Sequence, residues 1–142
     1  GITQGAGKWV TLHNHNKKDD NVAACYDELR TKGYQIYATS LHQTSRSIED
    51  LDPHQKTAIV FGTEADGISD KAGKQADGFV HIPMQGFTES FNLSVSAAIC
   101  LTVLKSKLRH WPPLEEDEKI ELRSEWYRKI VREADLILKT IG

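Results

Sequence analysis

Two loops in the middle of the chain carry the residue types that are best suited to chemistry. The first, residues 62–64 (GTE), follows an apolar run at residues 57–61, and the second, residues 83–86 (PMQG), follows a run at residues 79–82. Both runs are short and rich in β-branched and aromatic residues, which is typical of buried strands. Because ligands of open α/β sheets bind where strand ends release such loops, we expect a binding site there.

Three polar side chains near these loops are candidate catalytic residues, namely Glu64, Ser90 and Asn92. The carboxylate can accept hydrogen bonds, and the hydroxyl and the amide can both donate and accept them. Each residue also has a structural interpretation. Taken alone, Glu64 would be a surface or helix-entry acid, and Ser90 or Asn92 would be the ordinary start of a helix. Taken alone, Glu64 and Asn92 favour the structural interpretation, and Ser90 leaves both interpretations open.

Both loops resemble motifs of the SpoU/TrmH-type RNA 2′-O-ribose methyltransferases of the SPOUT superfamily. Residues 61–69 (FGTEADGIS) are similar to the family's second motif, apolar-Gly-x-Glu-x-x-Gly-apolar, and residues 82–97 (IPMQGFTESFNLSVSA) are similar to the third. The resemblance covers about residues 3–109. The first motif, a strand and helix with an Asn and a catalytic Arg, should precede Gly1. Because the only methionine is internal, we interpret the chain as a fragment that binds cofactor weakly or not at all and is inactive alone.

The resemblance implies a cytoplasmic homodimeric enzyme that transfers a methyl group from S-adenosylmethionine to a ribose 2′-hydroxyl of RNA. The favoured RNA substrate is tRNA, and rRNA is the second candidate. It implies that Glu64 organises the active-site loops, that Asn92 orients the catalytic Arg or the ribose, and that Ser90 contacts phosphate and ribose or caps the helix. The family usually has Leu where this chain has Phe91. The cofactor-binding residues that the resemblance implies are Thr39, Leu41, Gly62, Glu64, Ile82, Met84, Phe91 and Leu93.

Two other functions are alternatives. One is a non-catalytic RNA-binding or dimerisation module that kept the same fold. The other is an ordinary, unknotted nucleotide-binding α/β domain, which the sequence disfavours because it contains no G-x-G-x-x-G or Walker pattern.

Hydrophobic periodicity predicts strands that alternate with helices, and hence an α/β fold with a parallel sheet and helices on both faces. The resemblance adds a C-terminal trefoil knot, in which residues 79–109 pass through the loops after Thr39 and Gly62. We predict a methyltransferase domain at residues 1–110 and a helical extension at residues 111–142 that packs on it. Predicted strands lie at residues 8–14, 34–39, 57–61 and 79–82, and a loop is predicted at residues 42–56. Predicted helices run from Asp19 or Asp20 to Gly33 and over residues 69–75, 91–109 and 115–140. Ser90 is the predicted N-cap of the helix at residues 91–109.

Composition limits the remaining possibilities. The formal net charge of −2, from 18 basic and 20 acidic residues, argues against a uniformly positive surface. RNA binding does not require such a surface, because it depends on where the basic residues lie. Cys25 and Cys100 fall in helical patterns, which indicates buried thiols in a reducing compartment. No apolar run is long enough for a membrane span. His13 and His15 lack partners at ligand spacing, so we predict no metal.

Basic residues near the end of the helix at residues 91–109 have two interpretations. They complement the helix dipole, and they also lie where the family places residues that contact tRNA. We expect the homodimer to pair through this helix and through the helix that contains Trp126. The basic residues are Lys105, Lys107, Arg109 and His110.

Overall fold

The structure is a computed structural model that describes residues 10–16, 20–41, 44–85, 91–110, 113–134 and 139–140. The chain divides into two compact units, one made of Gly1–Asn14 with Pro112–Gly142 and the other of His15–Trp111. The predicted division at residue 110 stays a prediction.

A parallel sheet forms the centre of the unit His15–Trp111. Its strands are β1 (Gln35–Thr39), β2 (Arg46–Ser47), β3 (Thr57–Val60) and β4 (Gly78–His81). Their spatial order is β2-β4-β1-β3, and every pair in the sheet is parallel. All four carboxyl ends therefore lie at one edge of the sheet, as the sequence predicted.

Helices cover both faces of this sheet. They are α1 (Asn21–Thr31), α2 (Asp70–Gln75) and α3 (Leu93–Lys107). In β1, Ile36 packs in one cluster with residues of α1 and α2, while Tyr37 packs in another with Cys100 of α3. Because neighbouring strand residues point to opposite faces, α1 and α2 lie on one face and α3 on the other. The predicted fold class is confirmed, and the trefoil knot stays a prediction.

Helix caps were predicted well at two helices and wrongly at the third. Asp20 accepts a hydrogen bond from Ala23 N at 3.0 Å at the start of α1, and Ser69 Oγ accepts one from Ala72 N at 3.3 Å at the start of α2. Helix α3 begins at Leu93, and its cap is Asn92, because Asn92 Oδ1 accepts from Ser94 N at 2.9 Å. The predicted start at Phe91 with Ser90 as cap is therefore wrong, and Ser90 itself lies outside the described residues.

Two predicted elements near the amino-terminal half also differ. Residues 10–14 of the predicted strand at 8–14 are not a strand, and Val10 and Leu12 are 56% and 76% exposed. Alternation makes a strand only where a neighbouring strand completes its hydrogen bonds, and residues 10–14 do not join the described sheet. The predicted loop at residues 42–56 contains β2 and a 3₁₀ turn, Ile48–Asp50, whose Ile48 is fully buried.

The last helix is shorter than predicted. Helix α4 (Glu116–Ile130) belongs to the other unit and starts with a capping box between Glu115 and Glu118. It was predicted to continue to Thr140, but Val131 is extended and Glu133 has a φ of 63°. Neither Gly nor Pro marks this end, so the sequence carried no stop signal. None of the described residues of α4 is fully buried.

Asp77 joins two layers of the fold just before β4. Its Oδ2 accepts a hydrogen bond from Ile36 N of β1 at 2.8 Å, and its Oδ1 accepts one from Arg30 of α1 at 3.0 Å. Partial burial alone would raise the pKa of Asp77, but the Ile36 N–H and the Arg30 guanidinium outweigh it and hold the pKa below its usual value of 3.8.

Replacing Asp77 with Ala should lower the free energy of unfolding by about 1–2 kcal/mol, because the amide of buried Ile36 loses its acceptor. Since the folded-state pKa of Asp77 is lowered, this stabilisation is complete above the usual pKa of 3.8 and disappears as the pH falls through the folded-state pKa. Urea unfolding at pH 7 and at about pH 3 would measure both effects.

The matched control is Asp27→Ala, which removes a carboxylate from an exposed position of α1. Equal losses in the two variants would contradict the specific role of Asp77.

Candidate functional site

The carboxyl ends of β1, β3 and β4 open into one cleft. Its volume is about 480 Å³, within the usual range for small-molecule sites. Most of its side chains are apolar, and the polar ones come from the loops and strand ends, with Ser96 from α3. The cleft is lined by Thr39, Ser40, Leu41, Phe61, Gly62, Thr63, Glu64, Gly67, Ile68, Val80, His81, Ile82, Met84, Phe91, Leu93 and Ser96.

All eight residues that the sequence predicted for cofactor binding lie in this lining. They come from four separate parts of the chain, and the parallel sheet brings them to one edge. Leu41 is 62% and Phe91 40% exposed, so both stand at open positions of the cleft. The eight are Thr39, Leu41, Gly62, Glu64, Ile82, Met84, Phe91 and Leu93.

A tight loop after β3 forms one wall. Thr63 and Gly67 exchange two backbone hydrogen bonds of 3.0 Å, and Gly67 has a positive φ of 67°. At Gly62, a Cβ would lie 1.9 Å from the carbonyl carbon of Gly67, so only glycine fits there. Thr63 Oγ1 also accepts from Asp66 N at 3.0 Å, which fixes the turn from inside.

This loop presents Glu64 to the start of α3. Asn92 Nδ2 donates to Glu64 Oε1 at 3.0 Å, while Asn92 Oδ1 caps the helix through Ser94 N. The cap therefore also holds the carboxylate. The interpretation of Asn92 as a helix start is confirmed, and its role toward the catalytic Arg or the ribose stays a prediction. No described residue hydrogen-bonds Glu64 Oε2, and this oxygen can accept from a ligand or another side chain. The third predicted catalytic residue, Ser90, lies outside the described part of the chain.

Sequence reasoning missed part of the lining, above all His81. Its Nδ1 lies 2.9 Å from Ser45 Oγ, a contact between β4 and the segment before β2. No spacing rule signals this pair, because the residues are far apart in sequence and β2 was not predicted. Phe61, Gly67 and Ile68 could have been found, since they belong to the second motif.

Lys107, one of the basic residues with two interpretations, has a structural contact. Its Nζ donates to Glu49 O at 2.7 Å and to Leu51 O at 2.5 Å, which ties the end of α3 to the 3₁₀ turn. Within the described residues there is no group of three or more His, Cys, Asp or Glu side chains that could hold a metal ion. No helix in the same residues is long and apolar enough to cross a membrane.

Comparison with known proteins agrees with the geometry. Residues 2–102 match the model of the SpoU rRNA Methylase family. A tRNA (guanosine(18)-2′-O)-methyltransferase of Borreliella burgdorferi is 39% identical over 99% of this chain and 64% of that protein. The chain thus spans about two thirds of the length of this relative.

Solved structures show the same relationship. The A. aeolicus TrmH/SpoU tRNA modifying enzyme superposes with a TM-score of 0.74 and 31% identity, over 92% of this chain and 68% of that one. An AdoMet-bound rRNA methyltransferase from Sinorhizobium meliloti superposes with a TM-score of 0.55 and 25% identity, over 62% and 34%. The resemblance found in the two motifs is confirmed. Because residues 2–102 match the family's model and the fold superposes on the A. aeolicus enzyme, the chain belongs to the SpoU rRNA Methylase family.

Proposed function

We propose that this chain is the cofactor-binding catalytic part of an S-adenosylmethionine-dependent enzyme that methylates the ribose 2′-hydroxyl of guanosine 18 in tRNA. The observation that carries the proposal is the contact of Glu64 with Asn92 at the cleft, because it joins the two family motifs in one site. The 39% identical relative, matched over 99% of this chain, supports the choice of tRNA and of guanosine 18.

The cleft fits the cofactor. Adenine is a flat ring with apolar faces, and Ile82, Met84, Phe91 and Leu93 supply apolar surface of the required kind. Gly62 lines the cleft, so its backbone polar groups can contact a ligand there. When bound, S-adenosylmethionine supplies a methyl group on a sulfonium, which is already a good leaving group.

The task left to the protein is to hold the ribose hydroxyl in line with that methyl group. Asn92 fixes Oε1 of Glu64. Oε2 is left to accept a hydrogen bond from a donor at the cleft and so to orient that donor. The same Asn92 caps the start of α3, so one side chain links the helix start to the carboxylate. We assign Glu64 and Asn92 as positioning residues. Ser90 keeps its predicted role in contacting ribose or phosphate.

Ribosomal RNA is the second candidate substrate, because the Sinorhizobium meliloti neighbour is an rRNA methyltransferase. Its 25% identity over 62% of this chain makes it a weaker guide than the 39% identical tRNA enzyme. With tRNA as substrate, the proposed location is the cytoplasm.

Replacing Glu64 with Gln should lower kcat for methylation by about tenfold to a hundredfold. A neutral amide binds a hydrogen-bond donor at the cleft more weakly than a carboxylate does, so the donor would be positioned less well. The measurement is transfer of a labelled methyl group by the complete gene product to a tRNA transcript. A transcript with 2′-deoxyguanosine at position 18 should accept no label, since the proposed acceptor, named from the Borreliella burgdorferi relative, is absent.

The control variant is Asp66→Asn, which neutralises another exposed acid of the same loop and should leave kcat unchanged. Methylation of an rRNA fragment in preference to tRNA would overturn the choice of substrate. Undiminished activity of Glu64→Gln would overturn the role of the carboxylate.

Replacing Gly62 with Ala should abolish cofactor binding, because the new Cβ would lie 1.9 Å from the carbonyl carbon of Gly67 and push the loop away. Calorimetric titration of the complete gene product with S-adenosylmethionine measures the loss. Gly73→Ala is the control: its Cβ would lie 3.6 Å from the Phe79 ring, an ordinary contact, and Ala favours the helix. Wild-type affinity in Gly62→Ala would show that the cleft wall does not contribute to binding.

The proposed enzyme is a homodimer. On α3, Val95 is 45% and Leu101 67% exposed, and on α4, Ile120 is 61% and Ile130 54% exposed. Large apolar side chains this exposed on a helix favour contact with another protein surface. A second copy is the proposed partner.

Replacing Leu101 with Glu should weaken dimerisation by at least tenfold, because the interface would have to bury an unpaired charge. Analytical ultracentrifugation across a dilution series measures the dissociation constant. Leu12→Glu, at a 76% exposed position outside α3 and α4, is the matched control. An unchanged constant in Leu101→Glu would exclude this face of α3 from the interface.

A further inference from the structure

His81 occupies a position in the cleft that no motif explains. It ends β4, lines the cleft and is half-buried. Ser45 Oγ lies 2.9 Å from its Nδ1 and fixes the ring. None of the described residues makes a hydrogen bond to its Nε2. A histidine held through one nitrogen presents the other nitrogen to its surroundings, as a donor or an acceptor according to the tautomer.

The charge pattern of the cleft points to the ligand group that His81 would bind. Among the described lining residues, Glu64 is the only acid and His81 the only side chain that can be cationic. S-adenosylmethionine has one anionic group, the α-carboxylate of its methionine part. A carboxylate brought into a largely apolar cleft needs an N–H donor, since an unpaired charge there is costly.

We propose that His81 Nε2 donates a hydrogen bond to this carboxylate and thereby determines specificity for the amino-acid part of the cofactor. The proposal requires that the Ser45 hydroxyl donates to Nδ1, so that Nε2 carries the proton, which makes Ser45 a positioning residue. The inference rests on the proposed function, because it assigns one more contact in the same cofactor site.

The test uses two ligands that differ by a single group: S-adenosylhomocysteine and its decarboxylated form. Both are titrated calorimetrically into the complete gene product and into the variant His81→Phe, which keeps a ring of similar shape without donors. Affinity for S-adenosylhomocysteine should fall about tenfold or more, and affinity for the decarboxylated form should change less than about twofold. His54→Phe, at an exposed position outside the cleft lining, should change neither affinity.

Ser45→Ala provides a second test that leaves the His81 ring in place. It should cause a smaller loss, again only for the ligand with the carboxylate. Equal losses for both ligands, or no loss for either, would overturn the role of His81 and leave the proposed function intact. If the wild-type protein binds neither ligand, both the cofactor assignment and this inference are overturned.

Discussion

A backbone contact at the end of β3 is the constraint on which the cleft depends. Gly62 and Gly67 approach so closely that a Cβ on Gly62 would lie 1.9 Å from the Gly67 carbonyl carbon. The two hydrogen bonds between Thr63 and Gly67 close the loop over this contact. The closed loop holds Glu64 at hydrogen-bond distance from Asn92. A wider loop would separate these side chains and open one wall of the cleft.

The sheet provides the rigid support for this loop. Strand β1 buries Ile36, Tyr37 and Ala38 in succession, because it has a neighbouring strand on each side and helices on both faces. Parallel pairing then sets the carboxyl ends of β1, β3 and β4 side by side. The exposed residues of the cleft, such as Glu64 and Phe91, thus lie in short loops that follow the buried strands of the sheet. This division between frame and loops is common in binding sites.

The sequence predicted what is encoded locally and missed what depends on distant partners. Helix α1 carries its own cap, Asp20, in the sequence just before it. Strands β1 and β3 carry apolar patterns of their own. The segment at 8–14 alternates equally well, but its described residues, 10–14, do not form a strand. The resemblance to the family, rather than any local pattern, identified eight of the sixteen residues that line the cleft. The contact of His81 with Ser45 could not be predicted, because it requires the pairing of β2 with β4.

Helix α3 links the cleft to the rest of its unit, since it is held at three points. Asn92 binds Glu64 at its start, Cys100 is buried at its middle, and Lys107 donates to two carbonyls of the segment around the 3₁₀ turn at its end. Burial also raises the pKa of the Cys100 thiol, which favours an inert, neutral side chain. A helix fixed in this way presents Val95 and Leu101 without further ordering, which lowers the entropic cost of a contact on that face. The same rigidity means that a partner on this face would meet a cleft whose Glu64–Asn92 contact is already formed.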